Sequence, residues 1–497
     1  MMSNATVARR GDAMLPFVLG LLLASATALL VTGVAQAADV SIRFEASPQA
    51  VSEVRSLDLG GRLAVDNVPL GERRVSLELR RHRVWAPDAR IVLKTEAGDE
   101  VLKTPQDTHF AGSVVGSPQS RATMTLAEDG TWRGIISTDG RWWLIGQTLN
   151  EVRLPSPQLR EVVDEDVADR SFSCGASHLE HDHSVVEPAF NGALEVATMP
   201  ESRGSLPTFT ARIAVDSDND FLDLFQGNTN DAIAYIGDVF SFSSSIYLDE
   251  VETSLEVVDV TLWSAPDPWT QNGTLCSLME FGKYWNDNND SISRTAAHFL
   301  SGANFGGGVA WVGVLCRNDF TVNLSDFGLN CPGLAVSSNY GGAYGVSADL
   351  DGNFDLSNPQ IVWDVVVISH ELGHNFDSPH THCYNQASTA GTQPVDQCFN
   401  GEANNGCYGG SQSLPGPSGQ GAGTLMSYCH LLSPGISNMG PTFGLGHPFG
   451  NDPDRVPEQM FAHVMAEANS NPGCLDPIIA DLLFANGFEE GNTSAWD

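Results

Sequence analysis

His370-Glu371-Leu372-Gly373-His374 lies inside an apolar-periodic stretch from Ile361 to Phe376 and is followed by His380. No other feature constrains the fold as tightly. Residues four apart on a helix lie on one face one turn apart, so the imidazoles of His370 and His374 reach one ion, for Zn2+ at about 2.0–2.1 Å. Val365, Ile368 and Leu372 then face the core. A catalytic zinc needs a third protein ligand, and Pro379 biases Ser378 out of the helical region, so the chain turns near Asp377 and brings His380 back. Glu371 falls beside the ion, placed to take a proton from an attacking water and return it to a departing amine. The residues leave one alternative open, in which Asp377 is the third ligand and His380 or His382 lies outside the shell.

The rest of the chain narrows the class. Its 497 residues are 42% apolar and 17% charged, with 49 glycines and 26 prolines, which suits a loop-rich globular protein of about three units. A net charge of −36 argues against binding nucleic acid. The charge is uneven: residues 205–497 hold 34 acidic residues against five basic ones, Arg212, Lys283, Arg294, Arg317 and Arg455. Nine cysteines, eight of them between Cys276 and Cys474, fit a disulfide framework made in an oxidising compartment, and Cys174 is left over. Arg9 and Arg10, an uncharged stretch from Met14 to Val34, and Ala35-Gln36-Ala37 read as a secretory signal peptide, with an uncleaved anchor as the competing reading. The expected product is secreted, extracellular or periplasmic in transit, with no membrane association after signal cleavage.

Short alternating runs such as Val75-Ser76-Leu77-Glu78-Leu79, punctuated by Gly and Pro, predict a β-rich unit from Asp39 to about Ile145. Residues Glu151 to Pro207 are polar, carry His178, His181 and His183, and read as a linker. Beyond it, strand patterns at 208–215, 255–262, 295–300 and 308–315 alternate with helical patterns ending near Phe240, at 275–285 and at 361–376, which predicts an α/β unit with a mostly parallel sheet. Asp349, Asp351, Asn353 and Asp355 alternate as they would around a Ca2+ ion, with a plain polar turn as the competing reading.

Taken together, the histidine motif and Gly423-Thr424-Leu425-Met426-Ser427-Tyr428 resemble the metzincin zinc peptidases, most closely their reprolysin (adamalysin-like) branch. That resemblance implies a metzincin α/β catalytic domain: a mixed, mostly parallel sheet with an antiparallel edge strand, and an active-site helix, preceded by a β-rich propeptide domain. It implies Met426 as the Met-turn beneath one catalytic Zn2+, and Tyr428 near a reacting carbonyl. Thr295 to Gly302 and Gly306 to Cys316 resemble the family's third strand and its peptide-binding edge strand. Asn471-Pro472-Gly473-Cys474 resembles the end of its catalytic domain, which implies a Cys316–Cys474 disulfide.

His109 to Gly116 and Gly134 to Gly140 resemble the propeptide, with a separate binding domain as the competing reading. Cys174-Gly175 resembles the pair by which some metzincin propeptides place a thiolate on the zinc; the linker histidines are the rival inhibitory ligands. Asp377 departs from the family, which has glycine there, but Asp tolerates a left-handed turn. The expected organisation is 1–37 signal peptide, 38–150 propeptide domain, 151–207 linker with switch and processing site near Arg203, 208–475 catalytic domain and 476–497 tail. The expected activity is zinc-dependent cleavage of proteins or peptides by a monomer whose own propeptide inhibits it. A secreted adhesin with a structural zinc is the competing class.

Overall fold

The computed structural model describes residues 40–44, 48–147, 157–167, 174–175, 209–352, 354–386, 389 and 391–477. The signal segment, the linker histidines, Arg203, Asn353 and the tail beyond Pro477 lie outside the described residues.

The period-two runs become strands β1 (Val40–Arg43), β2 (Arg62–Leu70), β3 (Arg73–His82), β4 (Trp85–Thr95), β5 (Gly98–Leu102), β6 (Thr108–Val114), β7 (Arg121–Leu126), β8 (Trp132–Thr138), β9 (Arg141–Gly146) and β10 (Gln158–Val162), with helix α1 (Pro48–Arg55) after the first. Eight of them form one sheet in the order β1-β2-β3-β6-β7-β8-β9-β10, antiparallel except for the β1–β2 pair. Alternation divides its faces between two cores. Trp143, Ile145 and Ile136 point into a cluster with Leu77 and Phe110, while Trp142, Leu144 and Ile135 point the other way.

The second half folds as β11 (Phe209–Ser217), α2 (Asn219–Asp223), α3 (Thr229–Val251), β12 (Thr253–Trp263), α4 (Thr274–Asn288), β13 (Ala296–Leu300), β14 (Gly308–Ala310), β15 (Phe320–Asn323), β16 (Ser337–Gly341), β17 (Tyr344–Ser347), α5 (Ile361–Asn375), α6 (Arg455–Ser470) and β18 (Leu475–Pro477). Its sheet is mixed: β11 runs parallel to β12 and β13, β13 parallel to β17, and β14 lies antiparallel on β17 at the edge. Beyond β12 the sheet continues into β4 and β5, strands from the first half of the sequence.

Element ends differ from the sequence patterns for local reasons. The helix expected to stop near Phe240 breaks at Gln226 and Gly227, both at positive φ, restarts behind the Asn228 cap, and continues to Glu252, which closes it in the left-handed conformation. The strand expected at 308–315 stops at Ala310. Past it, Gly313 and Val314 donate their N–H groups to the carbonyls of His374 and Asn375, so this segment caps α5 instead of extending the sheet.

Four disulfides staple the second half: Cys276–Cys331, Cys316–Cys474, Cys383–Cys407 and Cys398–Cys429. The 316–474 pair is the one the resemblance implied. No described helix is long and apolar enough to cross a membrane.

Candidate metal centre

Every residue of α5 is buried, so its two histidines are delivered from a helix with no solvent-exposed face. The helix ends where expected. Ser378 donates its N–H to the Gly373 carbonyl and Asp377 to that of His374, a Schellman closure with Asp377 at φ +75° in the position glycine usually takes. The Asp377 carboxylate turns away, accepting from the Gln459 amide at 3.2 Å, and the chain returns so that His380 faces His370 and His374, with ring centroids 5.2 and 4.8 Å apart.

Hydrogen bonding fixes the tautomer of all three rings. Nδ1 of His370 lies 2.7 Å from the Leu425 carbonyl, Nδ1 of His374 lies 2.7 Å from the Ser378 carbonyl, and Nδ1 of His380 lies 3.1 Å from Glu402 Oε2. These oxygens only accept, so each Nδ1 carries the hydrogen and each Nε2 is left with a lone pair. The Nε2 atoms of His370 and His374 are 3.1 Å apart. Two lone pairs at that distance repel unless a cation sits between them, and two ligands at tetrahedral zinc distances lie about 3.3 Å apart. Burial and the neighbouring rings hold His370 well below the usual imidazole range, and burial and His380 do the same for His374, which keeps both neutral and able to ligate. The donor set therefore fits a zinc ion. Asp377 is not among the metal-spaced residues, whereas Cys174 joins the three histidines.

Cys174 Sγ lies 3.3 Å from His374 Nε2 and 3.4 Å from Glu371 Oε2. Its backbone N–H donates to the Tyr428 hydroxyl at 3.1 Å, and the Tyr428 ring packs on His380 at 4.6 Å between centroids. Burial pushes the Glu371 carboxyl up to about 8, with the Cys174 thiol and His380 acting against it. Two glycines explain how closely the site is built. A Cβ on Gly308, at the start of edge strand β14, would lie 2.4 Å from Glu371 Oε1, and one on Gly373 would lie 2.4 Å from the Met426 sulfur beneath the helix. Met426 is held there by Thr381, whose N–H donates to its carbonyl at 3.0 Å while the Thr381 hydroxyl donates to the Asp396 carboxylate.

Glu402 is the residue whose role the spacing concealed. It sits in a Gly/Asn-rich loop that the Cys383–Cys407 disulfide draws back against the site, and its Oε2 also takes a hydrogen bond from His382 Nε2 at 2.9 Å. Against the upward push of burial, His380 and His382 hold this carboxyl far below the usual range. The cysteine positions carried the signal for this contact, but their pairing could not be chosen from spacing. The described carboxylates of the Asp349–Asp355 run serve separate turns: Asp349 accepts from Gly306 N–H, Asp351 from the Asn358 amide and Asp355 from Ser357. Among the described residues they form no metal-spaced group.

Residues 208–439, which hold the helix, the three histidines and the Met426 turn, match the Reprolysin_5 model of metallo-peptidase family M12. This segment is similar to that family, and the chain is a zinc-dependent metallopeptidase with a mixed-sheet domain and a β-rich N-terminal region. No curated protein matches it. Among solved structures it is similar to metalloproteinase-II from Bacteroides fragilis at 9% identity and TM-score 0.34, over 70% of this chain and 90% of that one. It is also similar to a chaperone–substrate complex at 13% identity and TM-score 0.24, over 36% of this chain and 25% of that one. Both likenesses are too loose to add to the M12 match.

Proposed function

We propose that the chain is a secreted zinc endopeptidase made as a latent zymogen, with His370, His374 and His380 as zinc ligands and Glu371 as general base and then acid. The observation that carries this is the tautomer set: three Nδ1 hydrogens committed to oxygens, three Nε2 lone pairs converging, and a carboxylate beside them. When bound, zinc supplies a Lewis acid that polarises a peptide carbonyl and acidifies water. Glu371 takes the proton of the attacking water on its carboxylate and hands it to the departing amine nitrogen. Edge strand β14 holds an extended substrate by strand addition, and its Gly308 leaves room for the Glu371 carboxylate to pack against that strand. Segment 429–450 walls the pocket for the substrate side chain.

Latency follows from Cys174, whose sulfur stands where the attacking water must enter; as a thiolate it is a strong zinc ligand. Cleavage in the linker then frees the site. The enzyme acts as a monomer on protein or peptide substrates. The test is hydrolysis of casein by the processed protein. Chelator should abolish it, zinc should restore it, and Glu371→Ala should lower it by three orders of magnitude or more while keeping the metal. Full activity of Glu371→Ala would refute the assignment, and a zinc-loaded wild type without activity would favour a binding protein.

A further inference from the structure

We infer that the N-terminal β-domain, residues 40–167, stays bound after processing as a subunit that completes the catalytic sheet, and that only the arm carrying Cys174 leaves. The cleavage itself rests on the zymogen reading above; the retention rests on three features of the interface.

The first is the sheet. β4 pairs in parallel with β12 from Val257↔Trp85 to Trp263↔Lys94, with a register shift before Asp259↔Arg90, and Val257 N–H donates to the Val84 carbonyl at 2.7 Å. β12 is buried from Thr253 to Leu262, so loss of β4 would bare the backbone groups of an interior strand along an apolar edge. The second is the core. Trp85, Ile91, Ile135 and Trp142 belong to the same buried cluster as Phe242 and Val257, and the Trp142 and Phe242 rings stand 5.8 Å apart. The N-terminal sheet has its own core on its other face, so the face turned to α3 is an interface of two folded bodies.

The third is charge. Arg121, itself buried, bridges Asp249 at 2.9 Å and Glu250 at 2.7 Å, and Arg133 pairs with Asp238 through Nε. Asp238 and Glu250 are 4% and 1% exposed, in a half of the chain with five basic residues of its own. Removal of the N-terminal domain would strip these buried carboxylates of their guanidinium partners, a change that strongly destabilises a buried pair. Glu250 also reaches the active-site side: its Oε2 accepts the N–H groups of Phe443, Gly444 and Leu445, so Arg121 supports the carboxylate that holds the pocket wall.

Of the arm, Cys174 meets Glu371, His374 and Tyr428, and a Cβ on Gly175 would meet Val309 and Leu275; none of these contacts belongs to the β4–β12 seam or to the Arg121 and Arg133 ion pairs.

The experiment uses the full chain with Glu371→Gln, to suppress self-digestion, and a sequence-specific protease site placed within residues 190–200. After cutting, gel filtration at neutral pH should show both fragments in one peak at the elution volume of the uncut chain. In the cut chain carrying Arg121→Gln and Arg133→Gln, the urea concentration that separates the fragments should fall. Two separate peaks in native buffer, or an unchanged urea midpoint in the double variant, would overturn retention. Peptide hydrolysis is scored separately in the cut chain with Glu371 intact and Cys174→Ala, because a single cut leaves Cys174 joined to the retained domain. Co-elution without hydrolysis defeats the peptidase reading and leaves retention standing; hydrolysis after the fragments part defeats retention alone.

Discussion

Each converging Nε2 of His370, His374 and His380 owes its lone pair to an oxygen on the far side of its ring, and the three oxygens are not equivalent. Two are backbone carbonyls that no substitution removes; the third is Glu402, so the weakest point of the site is the support of His380. Glu402→Ala should weaken zinc binding about 10- to 100-fold by competitive chelator titration, with Glu402→Gln in between because the amide oxygen still accepts. Unchanged affinity in both variants would remove Glu402 from the site. Asp377 offers a second test. Its left-handed backbone costs about 1 kcal/mol and its bond from Gln459 returns a similar amount. Asp377→Ala should therefore destabilise by about 1–2 kcal/mol, whereas Asp377→Gly should fall within about 1 kcal/mol of wild type, and both should keep full zinc content. Loss of zinc from the glycine variant would revive Asp377 as a ligand. At this scale the grouping of His370, His374 and Glu371 was legible because helical spacing alone puts them together, and that of His380 because Pro379 forces the turn that brings it back. Glu402 was not, since it arrives through a disulfide loop whose pairing spacing cannot choose.

Strands and helices were legible where burial is periodic and lost where a neighbour decides. β12 reads as a strand from its own pattern, but nothing in that pattern says that β4, more than 150 residues earlier, will lie beside it. Nor could the short length of β14 be read, because its continuation is drawn off by the carbonyls at the end of α5. The β4–β12 seam carries a pH signature. Burial, only partly offset by Arg83, pushes Glu256 up to about 7 from an ordinary value of 4.5. Between those two values the folded chain holds a proton the unfolded chain has lost, so the stability this group contributes is full below pH 4.5 and is lost as pH rises to about 7. Glu256→Gln abolishes that loss. Its unfolding free energy should gain on wild type across this window by about 1–3 kcal/mol and then hold level. A gap independent of pH would contradict the assignment.

At the scale of the molecule, the uneven charge and the odd cysteine belong to one arrangement. The acidic second half takes guanidinium groups from the first half at its buried carboxylates, and the first half ends in the arm that brings Cys174 to the histidines. Composition showed the imbalance but not that the two halves share a sheet. Residues 205–497 carry 34 acidic residues against five basic ones, so basic peptides should be cleaved faster than acidic ones of equal length at low salt. That preference should shrink as the Debye length falls from about 30 Å at 0.01 M salt to about 3 Å at 1 M. The most direct test of the central claim is X-ray absorption at the zinc edge of the uncleaved, zinc-loaded chain. Three nitrogen scatterers at about 2.0–2.1 Å and one sulfur at about 2.3 Å are predicted, the sulfur vanishing in Cys174→Ala and after processing. A shell of nitrogen and oxygen alone in the intact precursor would contradict it.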